Sequence, residues 1–181
     1  MPISSHAILP YVVSEFEAQK PETILDLGIG NGIFGAMVYN YADIFLGKMP
    51  CLIGVEAWGD YKGPLWDCYD HVFVTPIEDY EIMEKWDMIV MLDVLEHWNR
   101  EDGRKQLARF KAALNPGGVF IVSTPAIFCK QGAYKGNPYE EHKSLWTPEA
   151  FDKAGFVPVR KPRLSILGEC MLIYKFKQEE K

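Results

Sequence analysis

Short apolar segments alternate with helix-length amphipathic stretches along the chain. Five apolar segments are continuous rather than alternating in polarity, which is typical of strands buried on both faces of a parallel sheet. The predicted strands are Thr23–Leu27, Leu52–Val55, His71–Thr75, Asp87–Leu92 and Gly118–Ser123. Two later segments, near Phe156–Arg160 and Cys170–Phe176, have no helix between them, so we expect them to pair antiparallel.

The stretches between the strands predict crossover helices. One covers Ile33–Asn40, and a second covers Arg100–Leu114, where an Asn-Pro-Gly-Gly run stops it. A third begins with Thr147 as N-cap and Pro148 in its first turn, and it ends at Gly155. The alternation predicts one domain over residues 1–181, a three-layer α/β/α sandwich around a mostly parallel sheet.

Composition and charge narrow the class of protein. The 181 residues are 48% hydrophobic and 24% charged, as in an ordinary soluble globular domain. The net charge of -6 argues against a nonspecific nucleic-acid binder, so no nucleic-acid partner is expected. No apolar run is long enough for a membrane span and no signal peptide is visible, which predicts a cytoplasmic protein without a membrane partner.

Cysteines and basic residues give two further expectations. The four cysteines form no C-x-x-C pair, which predicts free thiols in a reducing compartment rather than a disulfide or zinc framework. They are Cys51, Cys68, Cys129 and Cys170. The basic residues of the 100–114 helix are interpreted as a solvated face rather than an anionic docking site. They are Arg100, Arg104, Lys105, Arg109 and Lys111.

A glycine-rich segment after the first predicted strand can be parsed in two ways. Read from Asp26, it is D-x-G-x-G-x-G with Gly28, Gly30 and Gly32. Read from Gly30, it is the dinucleotide pattern G-x-G-x-x-G, which ends at Gly35. In either parse, small residues before a helix N-terminus let backbone N–H groups approach a ligand.

Two carboxylates bear on the choice of ligand. Asp26 at the strand end would repel a pyrophosphate, but it suits an ammonium group such as that of S-adenosylmethionine (SAM), which has no phosphate. Glu56 ends the second strand and can accept hydrogen bonds from two ribose hydroxyls, which serves SAM or a nicotinamide dinucleotide. Asp26 therefore favours SAM.

The sequence resembles the class I SAM-dependent methyltransferases. The matching segments are ILDLGIGNG, VEAW, DMIVMLDVLEHW and LNPGGVFIVSTP, in that order, and the resemblance covers roughly residues 20–176. It implies a Rossmann-like seven-stranded sheet with a C-terminal antiparallel hairpin, and it implies methyl transfer from SAM. The apolar residues of segment 1–20 predict an N-terminal helix, and the resemblance implies that this helix packs near the SAM pocket, where it could carry Tyr11.

The resemblance implies a set of cofactor residues. Asp26 would face the SAM ammonium, Glu56 would bind the ribose hydroxyls and Trp58 would pack near the adenine. The adenine contact stays open, because Pro76 stands where the family has an acid; the Ile77 backbone, Glu78 or Asp79 are the alternatives. The implied set is Asp26, Gly28, Gly30, Gly32, Glu56, Ala57, Trp58, Ile77, Glu78 and Leu92.

The segment after the fourth predicted strand carries a second group of polar residues. If helical, it would place Asp93, Glu96 and His97 on one face. One interpretation is structural, with Asp93 and Glu96 forming a capping box. The alternatives are chemical: Asp93 or the distant His142 acts as a general base, or Glu96, His97 and His142 bind a divalent metal.

This pattern is similar to that of the small-RNA terminal 2′-O-methyltransferases. Those enzymes have E-x-x-E-H after the fourth strand and a later histidine before a Trp-Thr helix start. Here the first position is Asp93, and the acidic chain has no RNA-binding appendage. The similarity therefore supports the site geometry and not an RNA substrate.

The connection from Pro125 to Trp146 is long for a compact domain, which suggests a substrate-side loop or a disordered excursion. Its aromatic residues favour packing. We expect a methyltransferase acting on a small molecule or sugar, at oxygen, with Asp93 and His142 as proton acceptors or acceptor-orienting groups. The alternatives are a non-catalytic SAM-binding partner subunit and a nicotinamide-dependent oxidoreductase.

Overall fold

The computed structural model describes residues 4–160 and 171–180, and in these residues seven strands form one sheet. The strands are β1 Thr23–Leu27, β2 Cys51–Glu56, β3 His71–Val74, β4 Trp86–Leu92, β5 Leu114–Pro125, β6 Val157–Pro158 and β7 Met171–Lys177. Their order is β3-β2-β1-β4-β5-β7-β6. Strands β1 to β5 are parallel, and β7 runs antiparallel to both β5 and β6.

Within the described ranges, four α-helices cover the two faces of the sheet. They are α1 Leu9–Gln19, α2 Ile33–Leu46, α3 Arg100–Lys111 and α4 Pro148–Lys153. Side chains of α1 and α2 share one apolar cluster, which includes Phe16 and Phe34, with one face of the sheet. Side chains of α3 and α4 share another, which includes Phe110 and Phe151, with the opposite face. This confirms the predicted three-layer sandwich.

The predicted elements are confirmed with changes at their ends. Helix α2 continues to Leu46, beyond the predicted Asn40, and Gly47 ends it in a left-handed conformation. The prediction of helix up to Leu114 was wrong, because Leu114 pairs with Trp86 and begins β5. The predicted start of the last strand at Cys170 lies outside the described residues.

The interpretation of the α3 cations as a solvated face was wrong for three of them. Arg100 donates to the Leu145 carbonyl and Lys111 to the Ala154 carbonyl. Arg109 donates to the carbonyls of Ile77 and Tyr80. These side chains bind loops to the sandwich, whereas Lys105 pairs with acidic residues of its own helix. Long basic side chains on a surface helix can thus satisfy loop carbonyls that regular structure does not reach.

Cys51, Cys68 and Cys129 are free thiols, as predicted, and Cys170 lies outside the described residues. No helix in the described part of the chain has the length and apolar character needed to cross a bilayer. A cytoplasmic location stays a prediction.

Candidate active site

A cavity opens at the edge of the sheet where β1, β2 and β4 end. We call one side the glycine-loop side. It is lined by residues from the ends of β1, β2 and β4, from the start of α2 and from the segment after β3. Its members include Asp26, Gly28, Ile29, Gly30, Phe34, Glu56, Ala57, Ile77, Glu78 and Leu92. The other, the long-loop side, includes Ser4, Leu9, Tyr61, Asp93, Val94, His97, Trp98, Asn137, Tyr139, Glu140 and Lys143.

The shape of the glycine loop depends on backbone conformations that favour glycine. Gly28, Gly30 and Gly32 have φ values of 76°, 54° and 90°. The Gly28 N–H donates to the Val55 carbonyl at 2.8 Å, which turns the loop back over the end of β2. A Cβ at Gly28 would lie 2.4 Å from a methyl carbon of Val94, so the loop also packs closely against the segment after β4.

Asp26 is the most deeply placed carboxylate of the glycine-loop side, with 2% of its surface exposed. The Tyr69 hydroxyl donates to its Oδ2 at 2.5 Å, and the Gly35 N–H donates to the Tyr69 oxygen at 3.0 Å. Burial raises the pKa of Asp26 to about 7, although the tyrosine opposes the increase. No sequence pattern indicated Tyr69, because it lies 43 residues from Asp26.

Backbone N–H groups hold both carboxylate oxygens of Glu56. Its Oε2 accepts from the Gly30 N–H at 2.8 Å and its Oε1 accepts from the Trp58 N–H at 2.9 Å. Burial raises its pKa. Each carboxylate oxygen can accept a second hydrogen bond, so the predicted contacts to a pair of hydroxyls remain open.

Two predicted cofactor residues do not line the cavity. Gly32 is the N-cap of α2, and its α-carbon faces Leu65. The Trp58 side chain also lies outside the lining, and its contribution is the N–H donated to Glu56. Ile77 and Glu78 do line the cavity, while Asp79 does not. Arg109 holds the backbone of this segment through the carbonyl of Ile77 at 2.9 Å.

The capping interpretation of Asp93 and Glu96 was wrong. The segment forms a single 3-10 turn at Leu95–His97, and Asn99, not Asp93, caps α3. Asp93 has a φ of 57°, a left-handed conformation that aspartate tolerates better than most residues. Its Oδ1 accepts from the Ser123 hydroxyl at 2.5 Å and its Oδ2 from the Ser5 N–H at 2.8 Å. Burial raises its pKa.

Glu96, His97 and His142 come together, with one potential ligand atom of each within 4.8 Å of the other two. Glu96 is 3% exposed, and its Oε2 has no hydrogen-bond partner in the described residues. Burial, together with the nearby charge of Asp93, raises its pKa well above the usual range. Each histidine Nδ1 faces a backbone carbonyl: His97 faces Glu141 at 3.2 Å, and His142 faces Cys129 at 2.7 Å.

These carbonyl contacts decide the tautomer of both rings. A carbonyl oxygen can only accept, so each Nδ1 carries a proton, and in a neutral ring the lone pair is then on Nε2. Burial lowers the pKa of His97 to about 4, which keeps that ring neutral. A neutral imidazole whose other nitrogen donates to a carbonyl is the usual form of a metal ligand. The residues therefore fit a divalent metal.

The long loop is packed against the molecule rather than disordered. Trp146 is fully buried, and its Nε1–H lies against the Leu95 carbonyl and the Ser144 hydroxyl. The N–H groups of Lys143 and Ser144 donate to the Glu96 carbonyl. The loop thereby brings His142 to Glu96 and His97.

Four polar side chains connect the long loop to the turn after β2. The Tyr61 hydroxyl donates to Glu140 at 2.7 Å and accepts from the Asn137 amide at 3.0 Å. The Gln131 amide donates to the other Glu140 oxygen at 3.0 Å. Glu140 and Asn137 are almost completely buried. Sequence reasoning missed this network because its parts are up to 79 residues apart; the density of polar residues in QGAYKGNPYEE was the only available signal.

The N-terminal helix is present, but Tyr11 does not line the cavity. Its hydroxyl accepts from Arg160, whose guanidinium also lies over the tyrosine ring. Ser4 and Leu9 reach the cavity instead. The Ser4 hydroxyl donates to the Leu92 carbonyl, so the segment before α1 crosses the end of β4.

Comparison with known proteins identifies the family. The methyltransferase domain family matches residues 6–159. The chain therefore belongs to this family, and the family and fold together confirm the prediction of a class I SAM-dependent methyltransferase. Among curated proteins, none matches the chain.

Solved structures of similar fold are distant in sequence. A 1,6-didemethyltoxoflavin N1-methyltransferase of Burkholderia thailandensis is 20% identical with a TM-score of 0.69, and the match covers 97% of this chain and 79% of that one. A SAM-dependent methyltransferase of Clostridium acetobutylicum is 14% identical with a TM-score of 0.67, covering 98% and 93%. The methyltransferase domain of bacterial CtHen1-CN is 17% identical with a TM-score of 0.62, covering 93% and 96%.

Proposed function

We propose that this enzyme transfers the methyl group of SAM to a hydroxyl oxygen of a small-molecule acceptor, with sugars included in that class. The observation that carries the proposal is the division of one cavity into two chemically different sides. The glycine-loop side has the residues expected to bind SAM, and the long-loop side has Asp93 beside a His-rich cluster. The Burkholderia enzyme was solved with 1,6-didemethyltoxoflavin and S-adenosylhomocysteine bound, which supports a small-molecule acceptor here.

The glycine-loop side offers a separate binding group for each part of SAM, which defines the direction in which SAM would lie. Asp26 offers a carboxylate to the ammonium group, and Glu56 offers two oxygens to the ribose hydroxyls. The Ile77 and Glu78 segment follows β3 beyond Glu56, where the adenine would lie. Leu92 at the end of β4 would lie along the methionine chain. Asp93 follows Leu92 in the chain and also lines the cavity.

The charge of the lining restricts the acceptor. Five carboxylates line the cavity, at Asp26, Glu56, Glu78, Asp93 and Glu140, against one lysine, Lys143. Such a lining repels phosphorylated or carboxylated acceptors, since unscreened like charges in a partly dry cavity cost several kcal/mol, on the order of 4 kcal/mol at 4 Å. An uncharged, hydroxylated acceptor suits these hydrogen-bonding groups, and a nucleic acid does not.

In this proposal Asp93 removes the acceptor proton. As the hydroxyl oxygen attacks the methyl carbon, the carbon–sulfur bond breaks, its electron pair stays on sulfur, and the hydroxyl proton passes to the Asp93 carboxylate. The products are the methyl ether and S-adenosylhomocysteine. Ser123 and Ser5 fix the carboxylate orientation. Burial raises the pKa of Asp93 toward the range in which a carboxylate is an effective base.

Glu96, His97 and His142 would hold a divalent metal at the rim of this side. Two imidazoles and one carboxylate suit zinc, manganese or iron better than magnesium, which prefers oxygen ligands. A bound metal would orient and acidify an acceptor hydroxyl. Of the two bases predicted from sequence, Asp93 lines the cavity, whereas His142 does not and is better placed as a ligand.

The metal assignment is tested by metal content. The purified enzyme should retain about one transition metal per chain, measured by mass spectrometry, and zinc or manganese should raise its melting temperature. Glu96→Gln should lose both effects. Glu141→Gln is the control, because the exposed Glu141 contributes only its backbone carbonyl to His97. A metal-free protein whose activity survives EDTA would contradict the assignment.

The reaction is tested by measuring S-adenosylhomocysteine with a panel of sugars, phenols, aliphatic alcohols and amines. We expect turnover with hydroxylated acceptors. Asp93→Asn should abolish turnover while SAM still raises the melting temperature. Turnover with amines only would contradict transfer to oxygen. SAM binding without turnover on any acceptor would instead support the non-catalytic partner subunit, and stabilisation by NAD alone would support the oxidoreductase.

A further inference from the structure

We propose that Tyr69 is a positioning residue for SAM, acting through Asp26 rather than by contact with the ligand. The inference deepens the proposed function, because it rests on Asp26 as the carboxylate that receives the SAM ammonium. Tyr69 donates a hydrogen bond to Asp26 but is absent from the cavity lining. Its hydroxyl fixes the plane of the Asp26 carboxylate by donating to one of the two oxygens.

The hydrogen bonds run in one direction from the backbone to the carboxylate. The Gly35 N–H donates to the Tyr69 oxygen, and the Tyr69 hydroxyl donates to Asp26 Oδ2. No described residue donates a hydrogen bond to Asp26 Oδ1. With Oδ2 occupied, the carboxylate cannot rotate out of its plane without losing a buried hydrogen bond, and Oδ1 is left to accept from the SAM ammonium.

The ring itself is fixed by close packing against two glycines. A Cβ at Gly35 would lie 2.2 Å from the Tyr69 ring, and a Cβ at Gly54 would lie 3.0 Å from it. Tyr69 is 7% exposed, so its orientation is set by the sandwich and not by solvent. Gly35, the last glycine of the dinucleotide parse, is therefore needed here to accommodate a tyrosine rather than a pyrophosphate.

The electrostatics support tyrosine as the permanent donor. Burial, together with the Asp26 charge, raises the pKa of Tyr69 well above its usual range, so the phenol stays protonated. The other titratable group facing Asp26 is Glu56 on β2, whose charge works with burial to raise the pKa of Asp26. The tyrosine hydrogen bond opposes both and keeps more of Asp26 ionised near neutral pH.

The experiment is isothermal titration of the full chain with S-adenosylhomocysteine from pH 5.5 to 8.5. S-Adenosylhomocysteine carries the same ammonium group as SAM. Tyr69→Phe should weaken binding about tenfold at pH 7, the value expected for loss of one hydrogen bond to a charged group. The pH at which binding reaches half of its maximum should also move upward. Tyr174→Phe, a buried tyrosine on β7, is the control and should change neither.

A merely structural role predicts a different result, namely weaker binding by the same factor at every pH, and that result would overturn the proposal. The double variant Asp26→Asn with Tyr69→Phe should bind as Asp26→Asn does, because Tyr69 acts through the carboxylate. Incorporation of 3-fluorotyrosine at position 69 tests the same idea without removing the hydroxyl. This stronger donor should lower the midpoint, and an unchanged midpoint would count against the proposal.

Failure of this inference differs from failure of the proposed function. A wild-type protein that binds no S-adenosylhomocysteine at any pH would overturn both. A wild-type protein that binds it, with Tyr69→Phe indistinguishable from Tyr174→Phe, would overturn only the role of Tyr69.

Discussion

The two sides of the cavity differ in how far apart in sequence their parts lie. The largest part of the glycine-loop side comes from the end of β1 and the loop and helix start that follow it. Glu56 comes from the neighbouring strand β2, and the end of β4 and the segment after β3 complete this side. The long-loop side combines the segment before α1, the turn after β4 and a loop that returns after β5. A local motif can be read from sequence because its geometry follows from glycine conformation and strand polarity. A side assembled over long separations depends on contacts that no short pattern encodes.

The two sides also differ in how they are held. The backbone itself fixes Glu56, through the N–H groups of Gly30 and Trp58. On the long-loop side, buried side chains hold the structure together: Trp146 packs into the sandwich, and the Tyr61 hydroxyl donates to Glu140. Substitutions should therefore affect SAM binding and the metal and acceptor site separately, except where the two sides touch.

Gly28→Ala should have the largest effect, because Gly28 is where the two sides touch. The new methyl group would meet Val94 at 2.4 Å in a left-handed backbone conformation. Strain of about 1–2 kcal/mol and overlap of about 1–3 kcal/mol predict a loss of SAM affinity of at least about thirtyfold. Titration calorimetry measures the loss. Gly47→Ala is the control, since Gly47 has a similar φ of 68° with nothing within 4 Å. Equal affinities for the two variants would show that the contact with Val94 does not matter.

Gly103→Ala should affect the long-loop side alone. A Cβ there would lie 2.5 Å from the Trp146 ring, and the overlap should cost about 1–3 kcal/mol of unfolding free energy. Displacement of Trp146 should reduce metal retention, while SAM affinity stays within about twofold, on the order of 0.4 kcal/mol. Urea unfolding and metal analysis give the two values. The control is Gly132→Ala, in the long loop that contains Trp146, where a Cβ would have nothing within 4 Å. It should leave the unfolding free energy and the metal retention unchanged. Loss of SAM affinity in Gly103→Ala would mean that the sides are not independent.

The buried Asp26 carboxylate of the glycine-loop side should make the unfolding free energy depend on pH. The pKa of Asp26 is about 7 in the folded protein, against about 3.9 in an unfolded chain. Between these values the folded state keeps a proton that the unfolded state has released. The unfolding free energy of the ligand-free enzyme should therefore fall as pH rises from about 4 to about 7, by up to about 1.4 kcal/mol per pH unit for this group.

Urea unfolding at pH 5, 6 and 7 measures this slope, and Asp26→Asn should make it shallower. SAM should act in the opposite direction, because its ammonium favours the ionised carboxylate: the stabilisation by SAM should grow over the same range. Parallel slopes for wild type and Asp26→Asn would show that another group carries the dependence.

Arg109→Met should have the smallest effect and should be confined to the glycine-loop side. Arg109 holds the Ile77 and Tyr80 carbonyls, so its loss should loosen the segment that flanks the adenine position. We expect SAM affinity to fall about three- to tenfold, which corresponds to one or two hydrogen bonds. Arg104→Met, at an exposed position of the same helix, is the control. If both variants bind SAM as the wild type does, the segment keeps its conformation without the arginine.

Several features were determined by the sequence alone. Continuous apolar runs identified the parallel strands, because a strand buried on both faces cannot alternate. The position of Asp26 before three closely spaced glycines indicated SAM, because charge and backbone conformation act within a few residues. The tertiary structure also confirmed the final antiparallel strand that the family resemblance implied.

Other features were decided only by the tertiary structure. The sequence indicated a metal site at Glu96, His97 and His142 as one of several interpretations. The proximity of these residues depends on a loop held by Trp146 and Arg100. The sequence around Asp93 was compatible with a helix cap. In the structure its carboxylate instead accepts hydrogen bonds from Ser5 and Ser123, which belong to two distant segments. Tyr69 had no local signal at all. Hydrogen bonds between segments far apart in the chain depend on how the sandwich packs, and short-range patterns carry no information about that packing.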